Sequence, residues 1–115
     1  MSNIKLLELV EDEWIERDNL DFNLVIVGDT ASKIFCFSPI NNDILNLKAK
    51  IKEKKDFSFL GSDGYVSCEW KNIEPSRIKK GERSESVKIE FSVKSGPVRM
   101  DFFEVILEYL EVPEI

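Results

Sequence analysis

The sequence predicts an α+β fold in a single domain over residues 1–115, with a mostly antiparallel sheet of about six strands and two helices. Three observations predict it. A glycine-rich turn separates two short apolar runs, one later segment alternates strictly between apolar and polar residues, and two segments show the apolar spacing of a helix. In chain order the elements are predicted as β β β α β β β α.

The amino-terminal third predicts three strands. They are placed at Ile4–Val10, Phe22–Gly28 and Lys33–Phe37. Residues 24–27 are all apolar, which indicates a strand buried on both faces. The acidic segment 11–21 separates the first two strands, with a turn expected at residues 17–19 because Asp and Asn bond their own backbone there. A second turn is expected at residues 28–32, and Pro39 ends the third strand.

Residues 41–54 fit two patterns. Alternating apolar residues predict a strand at Leu45, Leu47, Ala49 and Ile51, whereas a helical face is formed by Ile44, Leu47 and Ile51. We favour a helix, because Asn41 is a good cap and the segment is rich in Lys, Glu and Ala, which are good helix formers. The strand interpretation stays open.

A β-hairpin is predicted over Asp56–Trp70. Residues 61–64 form its turn, since Gly61 and Gly64 can adopt the positive φ angles that a hairpin needs. On the outgoing strand, one face carries Val66, Cys68 and Trp70.

The carboxyl-terminal part predicts one loop, one strand and one helix. They are placed at Lys71–Ser86, a long mobile loop, at Val87–Lys94, a strand with one buried face, and at Asp101–Val112, the second helix. Gly96 and Pro97 indicate a turn between the last two. Asp101 and Glu104 have the spacing of a capping box, and Pro113 stops the helix.

The composition argues against catalysis. Hydrophobic residues make up 43% of the chain and charged residues 33%, which is typical of a globular domain. There is no histidine, which removes Ser-His-Asp and Cys-His catalysis and imidazole metal sites. No phosphate-binding glycine loop is present. We therefore expect a protein that is not an enzyme and that has no small-molecule substrate, cofactor or metal.

The two cysteines, Cys36 and Cys68, both lie in apolar strand patterns. A disulfide between neighbouring strands is geometrically open. Because we find neither a secretion signal nor a membrane span, we expect two buried thiols in a cytoplasmic protein.

Charge is distributed unevenly along the chain, whose net charge is −6. Residues 1–30 hold eight acids and two bases, residues 31–95 are mildly basic, and residues 96–115 are acidic again. An acidic surface argues against nucleic acid as the main ligand, because phosphate binding needs positive potential over the contact face.

The acidic segment is the candidate partner-binding site. Its residues are Glu11, Asp12, Glu13, Trp14, Glu16, Asp18 and Asp21. A calcium site there would need ligands at alternate positions around a glycine, which the segment lacks. A solvated hairpin end is the plain interpretation. In the third interpretation Trp14 anchors a protein-binding patch, with acids that steer a basic partner.

A lysine row is the second candidate surface. It comprises Lys48, Lys50, Lys52, Lys54 and Lys55, followed in the next loop by Arg77, Lys79, Lys80 and Arg83. Most such rows are simply the solvated face of a helix. A nucleic-acid surface would interleave aromatic residues, and none precedes Phe57 here.

Taken together, these segments resemble the small acidic bacterial immunity proteins of polymorphic-toxin systems, and in element order the WapI type. The resemblance is carried by FNLVIVGDTASKIFCFSP, ILNLKAKI, FSFLGSDGYVSCEW and FFEVILEYLEVP. It implies an immunity protein that neutralises a cognate basic toxin, such as a nuclease, by direct protein binding. The alternative is a noncatalytic accessory or phage-encoded protein that contacts an acidic partner or nucleic acid through its lysine-rich helix.

Overall fold

The computed structural model describes residues 3–18, 20–25, 27–53, 57–59, 64–94 and 99–113. Within these residues the chain forms twelve strands and no helix, so the fold is all-β and the α+β prediction is wrong. None of the described segments is a helix suited to crossing a membrane. The strands are β1 Ile4–Val10, β2 Glu13–Arg17, β3 Leu20–Val25, β4 Thr30–Pro39, β5 Ile44–Ile51, β6 Phe57–Phe59, β7 Tyr65–Val66, β8 Lys71–Asn72, β9 Arg77–Ile78, β10 Val87–Val93, β11 Arg99–Phe103 and β12 Val105–Glu111.

The strands form three sheets. The first sheet has the order β2, β1, β4, β10, β6, and β7 also pairs with β10. The second sheet has the order β12, β5, β8, and β9 also pairs with β5. The third is the pair of β11 and β3. All pairings are antiparallel except that of β7 with β10.

One hydrophobic cluster joins the two larger sheets. Its buried members are Ile4, Leu6, Phe35, Phe37, Ile44, Leu47, Ala49, Ile51, Val66, Ile73, Ile78, Val87, Ile89, Phe91 and Val93. The rings of Phe35 and Phe37 meet edge to face with centroids 5.5 Å apart. The inner face of the first sheet therefore packs against the inner face of the second, and the other face of the first sheet points outward.

Three predicted strands are confirmed. Strand β1 has the predicted bounds, β4 extends the predicted strand at both ends to Thr30–Pro39, and β10 covers Val87–Val93. Buried and partly exposed residues alternate along the whole of β10, as its sequence indicates. The predicted strand at Phe22–Gly28 corresponds to β3, which ends at Val25. The predicted turn at Gly96 and Pro97 lies outside the described residues.

The helix predicted at residues 41–54 is wrong, because this segment contains β5. Two residues of β5, Asn46 and Leu47, stand where β12 has only Tyr109, and Asn46 has a φ of 54°. This is a β-bulge, which adds one residue to the strand and shifts its alternation. The bulge produces the three-residue step from Ile44 to Leu47 that the sequence shares with a helix. Leu47, Ala49 and Ile51 then alternate normally into the core.

The loop before β5 explains the apparent helix cap. The buried side chain of Asn3 accepts hydrogen bonds through Oδ1 from the backbone N–H groups of Asn41 (2.7 Å) and Asn42 (3.1 Å). Asn41 thus lies in a turn that is held by the amino-terminal end of β1, and it caps no helix.

The helix predicted at Asp101–Val112 is also wrong, because β11 and β12 occupy this segment. Along β12, Val105, Leu107 and Tyr109 pack against the core. The residues between them point outward, and Leu110 is 61% exposed. Aromatic and β-branched residues favour strands, and pairing with β5 supplies the tertiary context that overrides the capping-box spacing.

The predicted hairpin at Asp56–Trp70 is not a paired hairpin. Strands β6 and β7 both pair with β10, one antiparallel and one parallel, and they do not pair with each other. Gly64 has the positive φ, 88°, that the turn prediction required. Residues 61–63 lie outside the described part of the chain.

The loop predicted at Lys71–Ser86 contains β8 and β9 and contributes to the core. Ile73 and Ile78 are 2% and 1% exposed. The Ile73 N–H donates to the Leu47 carbonyl (2.8 Å), and the Asn46 N–H donates to the Ser76 carbonyl (2.7 Å). Two buried isoleucines and these backbone hydrogen bonds therefore hold the segment against β5, and the prediction of a mobile loop is wrong.

Candidate protein-binding site

The acidic hairpin, defined here as residues 10–18, contains β2, which is an edge strand of the first sheet. Glu11 and Asp12 have φ angles of 50° and 66°, and Val10 pairs with Glu13 across them. Two successive positive φ angles in a two-residue loop are those of a type I′ turn. Five exposed carboxylates follow from this arrangement, on Glu11, Asp12, Glu13, Glu16 and Asp18. This turn at Glu11 and Asp12 was not predicted, and the turn predicted at residues 17–19 includes Asn19, which lies outside the described residues.

Strand β2 presents two different faces. Trp14 and Glu16 pair with Leu9 and Leu7 of β1 and point to the outer face of the sheet. Ile15 pairs with Glu8 and points to the opposite face. Trp14 is half-buried in this position.

Arg83 is the residue that covers Trp14. Its Cζ lies 5.4 Å from the centroid of the Trp14 ring, which is cation–π geometry. In the described part of the chain Arg83 forms no ion pair with a carboxylate. Its guanidinium therefore stays available while its position is set by the ring.

The segment that carries Arg83 is held firmly beside β4. The Ser84 N–H donates to the Phe37 carbonyl (2.8 Å), and the Phe37 N–H donates to Ser84 Oγ (2.9 Å). At the end of β4, the Gly81 N–H donates to the Pro39 carbonyl (3.0 Å). These bonds extend the sheet beyond the start of β10 and fix the backbone from which Arg83 reaches back across the sheet.

An open cavity of about 610 Å³ lies beside this contact. It is lined by Trp14, Gly81, Glu82, Arg83, Ser84 and Ser86. One wall therefore comes from the acidic hairpin and the rest from the segment beside β4.

Cys36 and Leu7 face each other on β4 and β1 under the same outer surface. They are 0% and 8% exposed. Trp14 points to the same face of the sheet, and Arg83, which contacts its ring, lies close enough to Cys36 for its charge to act on the thiol. Burial raises the pKa of the Cys36 thiol to about 11, and the positive charge of Arg83 opposes part of that rise.

Both cysteines are free, as expected, but only Cys36 is buried, whereas Cys68 is half-buried. Burial raises the pKa of Cys68 as well, with a further contribution from the negative charge of Glu53.

A charged cluster of Glu8, Arg17 and Lys33 lies at the base of the hairpin and was not predicted from the sequence. The Glu8 side chain is 9% exposed and contacts Lys33 Nζ at 2.9 Å and Arg17 Nε at 3.3 Å. Glu8 thereby ties β2 to β4 across β1. Its place within the apolar run of β1 was the available signal, since a lone acid at such a position needs a partner.

The last predicted site residue, Asp21, is separated from the hairpin. It lies on β3, where its backbone faces Phe102 of β11, and its side chain is outside the described residues. The other six predicted residues lie together on the hairpin.

The lysine row does not lie on a helix. Lys48 and Lys50 alternate with core residues on β5 and point away from the core. Lys52 pairs with Glu104 at 3.7 Å, and Lys54 and Lys55 lie outside the described residues. Lys50 Nζ lies 4.8 Å from the ring centroid of Trp70, which is 42% exposed. The fold thus supplies the aromatic neighbour that the local sequence lacks.

No cluster of three metal-ligating Cys, Asp or Glu residues occurs among the residues that the structure describes. Comparison with known protein families, curated proteins and solved structures finds no match to this chain.

Proposed function

We propose that this chain is an immunity protein that binds and neutralises a cognate basic toxin domain, such as a nuclease, in the bacterial cytoplasm. The observation that carries the proposal is the acidic hairpin, which carries Trp14 and five exposed carboxylates at the edge of a sheet. Charge of one sign on a projecting edge attracts a partner of the opposite sign and raises its association rate.

Trp14 provides the apolar anchor of the proposed contact. Tryptophan is over-represented among the residues that dominate binding energy, because it buries a large area with few rotatable bonds. Its contact with Arg83 holds the ring in place before binding, which lowers the entropy that a partner must remove. The cavity next to Trp14 offers a recess for one side chain of the partner.

The proposal expects the toxin to be encoded immediately upstream of this chain. Co-expression should restore growth of cells that carry the toxin domain, and the two proteins should co-purify. Trp14→Ala should weaken the complex by about 30-fold, as loss of a central anchor does. Trp14→Phe is the matched control, because it keeps an aromatic ring beside Arg83.

Two outcomes contradict the proposal. One is the lack of any toxin gene beside this one together with a failure to rescue. The other is a complex whose dissociation constant is the same for the native chain and for Trp14→Ala, which would remove the hairpin from the interface.

A second candidate function rests on the contact between Lys50 and Trp70. A lysine beside a 42% exposed tryptophan resembles a stacking surface for single-stranded nucleic acid. Binding of a fluorescent oligothymidine should then weaken steeply with salt, by roughly 0.7 log units per phosphate contacted for each tenfold rise. A flat salt response, or equal binding by Trp70→Ala, would reject this candidate.

A further inference from the structure

We propose that the outer edge of β2 receives an extended basic segment of the partner as an added antiparallel strand. The inference rests on the proposed function and specifies its mode of recognition. Main-chain hydrogen bonds would supply affinity, and side chains at alternate positions would supply specificity.

The turn geometry determines which backbone groups of β2 are free. In a two-residue hairpin the residues that flank the turn, Val10 and Glu13, form a hydrogen-bonded pair. The pairs of Trp14 with Leu9 and of Glu16 with Leu7 are therefore not hydrogen-bonded. The N–H and C=O groups of Trp14 and Glu16 consequently point away from β1. No strand of the described chain pairs with that side.

The other described edges are less suitable for strand addition. Strands β6, β8 and β9 have only two or three residues. The register of β12 with β5 is interrupted by the bulge at Asn46, and the pair of β11 and β3 has its own register shift. Bulges twist an edge and hinder added pairing. Strand β2 has five consecutive pairs with β1, no bulge and no proline.

Charge defines the occupant of the edge. The carboxylates of the acidic hairpin disfavour pairing of β2 with a second copy of itself, because like charges on facing strands are destabilising. A strand with lysine or arginine at alternate positions would instead meet Glu16 on one face of the sheet. Its intervening residues would lie next to Ile15 on the other face, so apolar residues suit those positions.

The test uses an acetylated and amidated peptide of about nine residues that alternates lysine and valine. Amide hydrogen exchange of the intact chain is measured with and without the peptide. We expect the exchange of the Trp14 and Glu16 amides to slow by about tenfold or more at saturation. A peptide of the same charge, N-methylated at every residue, should give no protection, because neither of its edges has backbone N–H donors.

A pair of variants separates hydrogen bonding from charge. Glu16→Ala and Glu16→Pro both remove the carboxylate, but only proline removes the outward N–H, and proline is tolerated on edge strands. We expect Glu16→Pro to bind the peptide about tenfold more weakly than Glu16→Ala. Should Glu16→Pro disturb folding, the two peptides on the native chain still decide the question.

Several results would overturn the inference. They are equal binding of both peptides, unprotected Trp14 and Glu16 amides at saturation, no binding of the alternating peptide, or a dimer of the chain that Glu16→Pro dissociates. None of these rejects the proposed function, which is contradicted instead by a missing toxin gene with failed rescue or by a complex that Trp14→Ala does not weaken. The two ideas can therefore fail separately.

Discussion

Arg83 Cζ lies 5.4 Å from the centre of the Trp14 ring, across a contact that spans 69 positions of sequence. It joins the edge strand β2 to the segment beside β4, on the face of the first sheet to which Cys36 points. Trp14 thus belongs to the proposed binding site and lies on the same face of the sheet as a buried thiol.

Removal of Trp14 should expose that thiol. In a Cys68→Ser background, where Cys36 is the remaining cysteine, Trp14→Ala should raise the rate of labelling by an aromatic disulfide reagent at pH 8 by about tenfold or more. Burial is the larger cause of the raised pKa of Cys36, so exposure of the thiol should lower this pKa and increase the fraction of reactive thiolate. Arg83, whose positive charge also lowers the pKa, is retained in the variant. Glu13→Ala, on the opposite face of β2, should leave the rate unchanged. An equal rate for all three proteins would show that Trp14 does not cover Cys36.

Glu8 should contribute to stability beyond an ordinary surface ion pair. Glu8→Ala leaves Lys33 and Arg17 without their shared carboxylate, and Lys33 is itself only 18% exposed in its side chain. We expect a loss of about 2 kcal/mol in the free energy of unfolding, measured by urea titration. Glu13→Ala, an exposed acid on the same hairpin, should change it by less than about 0.5 kcal/mol. Similar values for the two variants would show that the cluster around Glu8 is not stabilising.

Asp43 should make the stability of the fold dependent on pH in the acidic range. Its carboxylate accepts the Lys80 N–H (2.8 Å) and two bonds from Arg77 (2.9 and 3.1 Å), and these contacts hold its pKa below the ordinary 3.8. The unfolded state then binds a proton at a higher pH than the folded state, so the stabilisation is present above the unfolded pKa and is lost as pH falls through the folded pKa.

The measurement is the unfolding free energy of the native chain and of Asp43→Asn between about pH 7 and pH 2. The native chain should be the more stable protein at neutral pH, and the difference should shrink as the solution becomes acidic. A difference that stays constant over this range would exclude Asp43 as a source of the pH dependence.

The bulge at Asn46 should respond to the shape of its side chain. Its φ of 54° lies in the left-handed region, which Gly and Asn tolerate and β-branched residues do not. Asn46→Val should lower the free energy of unfolding by about 2 kcal/mol, whereas Asn46→Gly should be close to neutral. Circular dichroism during urea unfolding would measure both, and equal effects would show that the bulge is not the conformational constraint.

Alternation of apolar and polar residues predicted a strand correctly where it runs along the whole strand. Strand β10 was found because its pattern reports a sheet with one buried face, and no distant residue is needed to interpret it. The helix prediction for β5 was wrong because Ile44 and Leu47 have a helical spacing. That spacing comes from a bulge, which depends on pairing with β12. The helix prediction for residues 101–112 was wrong for a related reason. The capping-box spacing is a local feature of the sequence, whereas β5, the strand that pairs with β12, lies more than 50 residues earlier.

The candidate site was predictable in part. The acidic segment and Trp14 stand out in the sequence, and six of the seven predicted residues lie on one hairpin. Arg83 could not be assigned to Trp14, because their contact depends on Ser84 pairing with Phe37 beside β4. Neither could Trp70 be assigned to Lys50 without the sheet that brings them together.

The most direct test of the account is the dissociation constant of the complex with the toxin domain, measured by calorimetry for two charge reversals of equal size. The first is Glu13→Lys with Glu16→Lys on the acidic hairpin. The second is Glu69→Lys with Glu74→Lys, two exposed acids next to β8 in the other sheet. We predict that the hairpin reversal weakens binding by about a hundredfold or more and that the control changes it by less than about threefold. Equal weakening by both pairs, or no effect of the hairpin pair, would contradict the account.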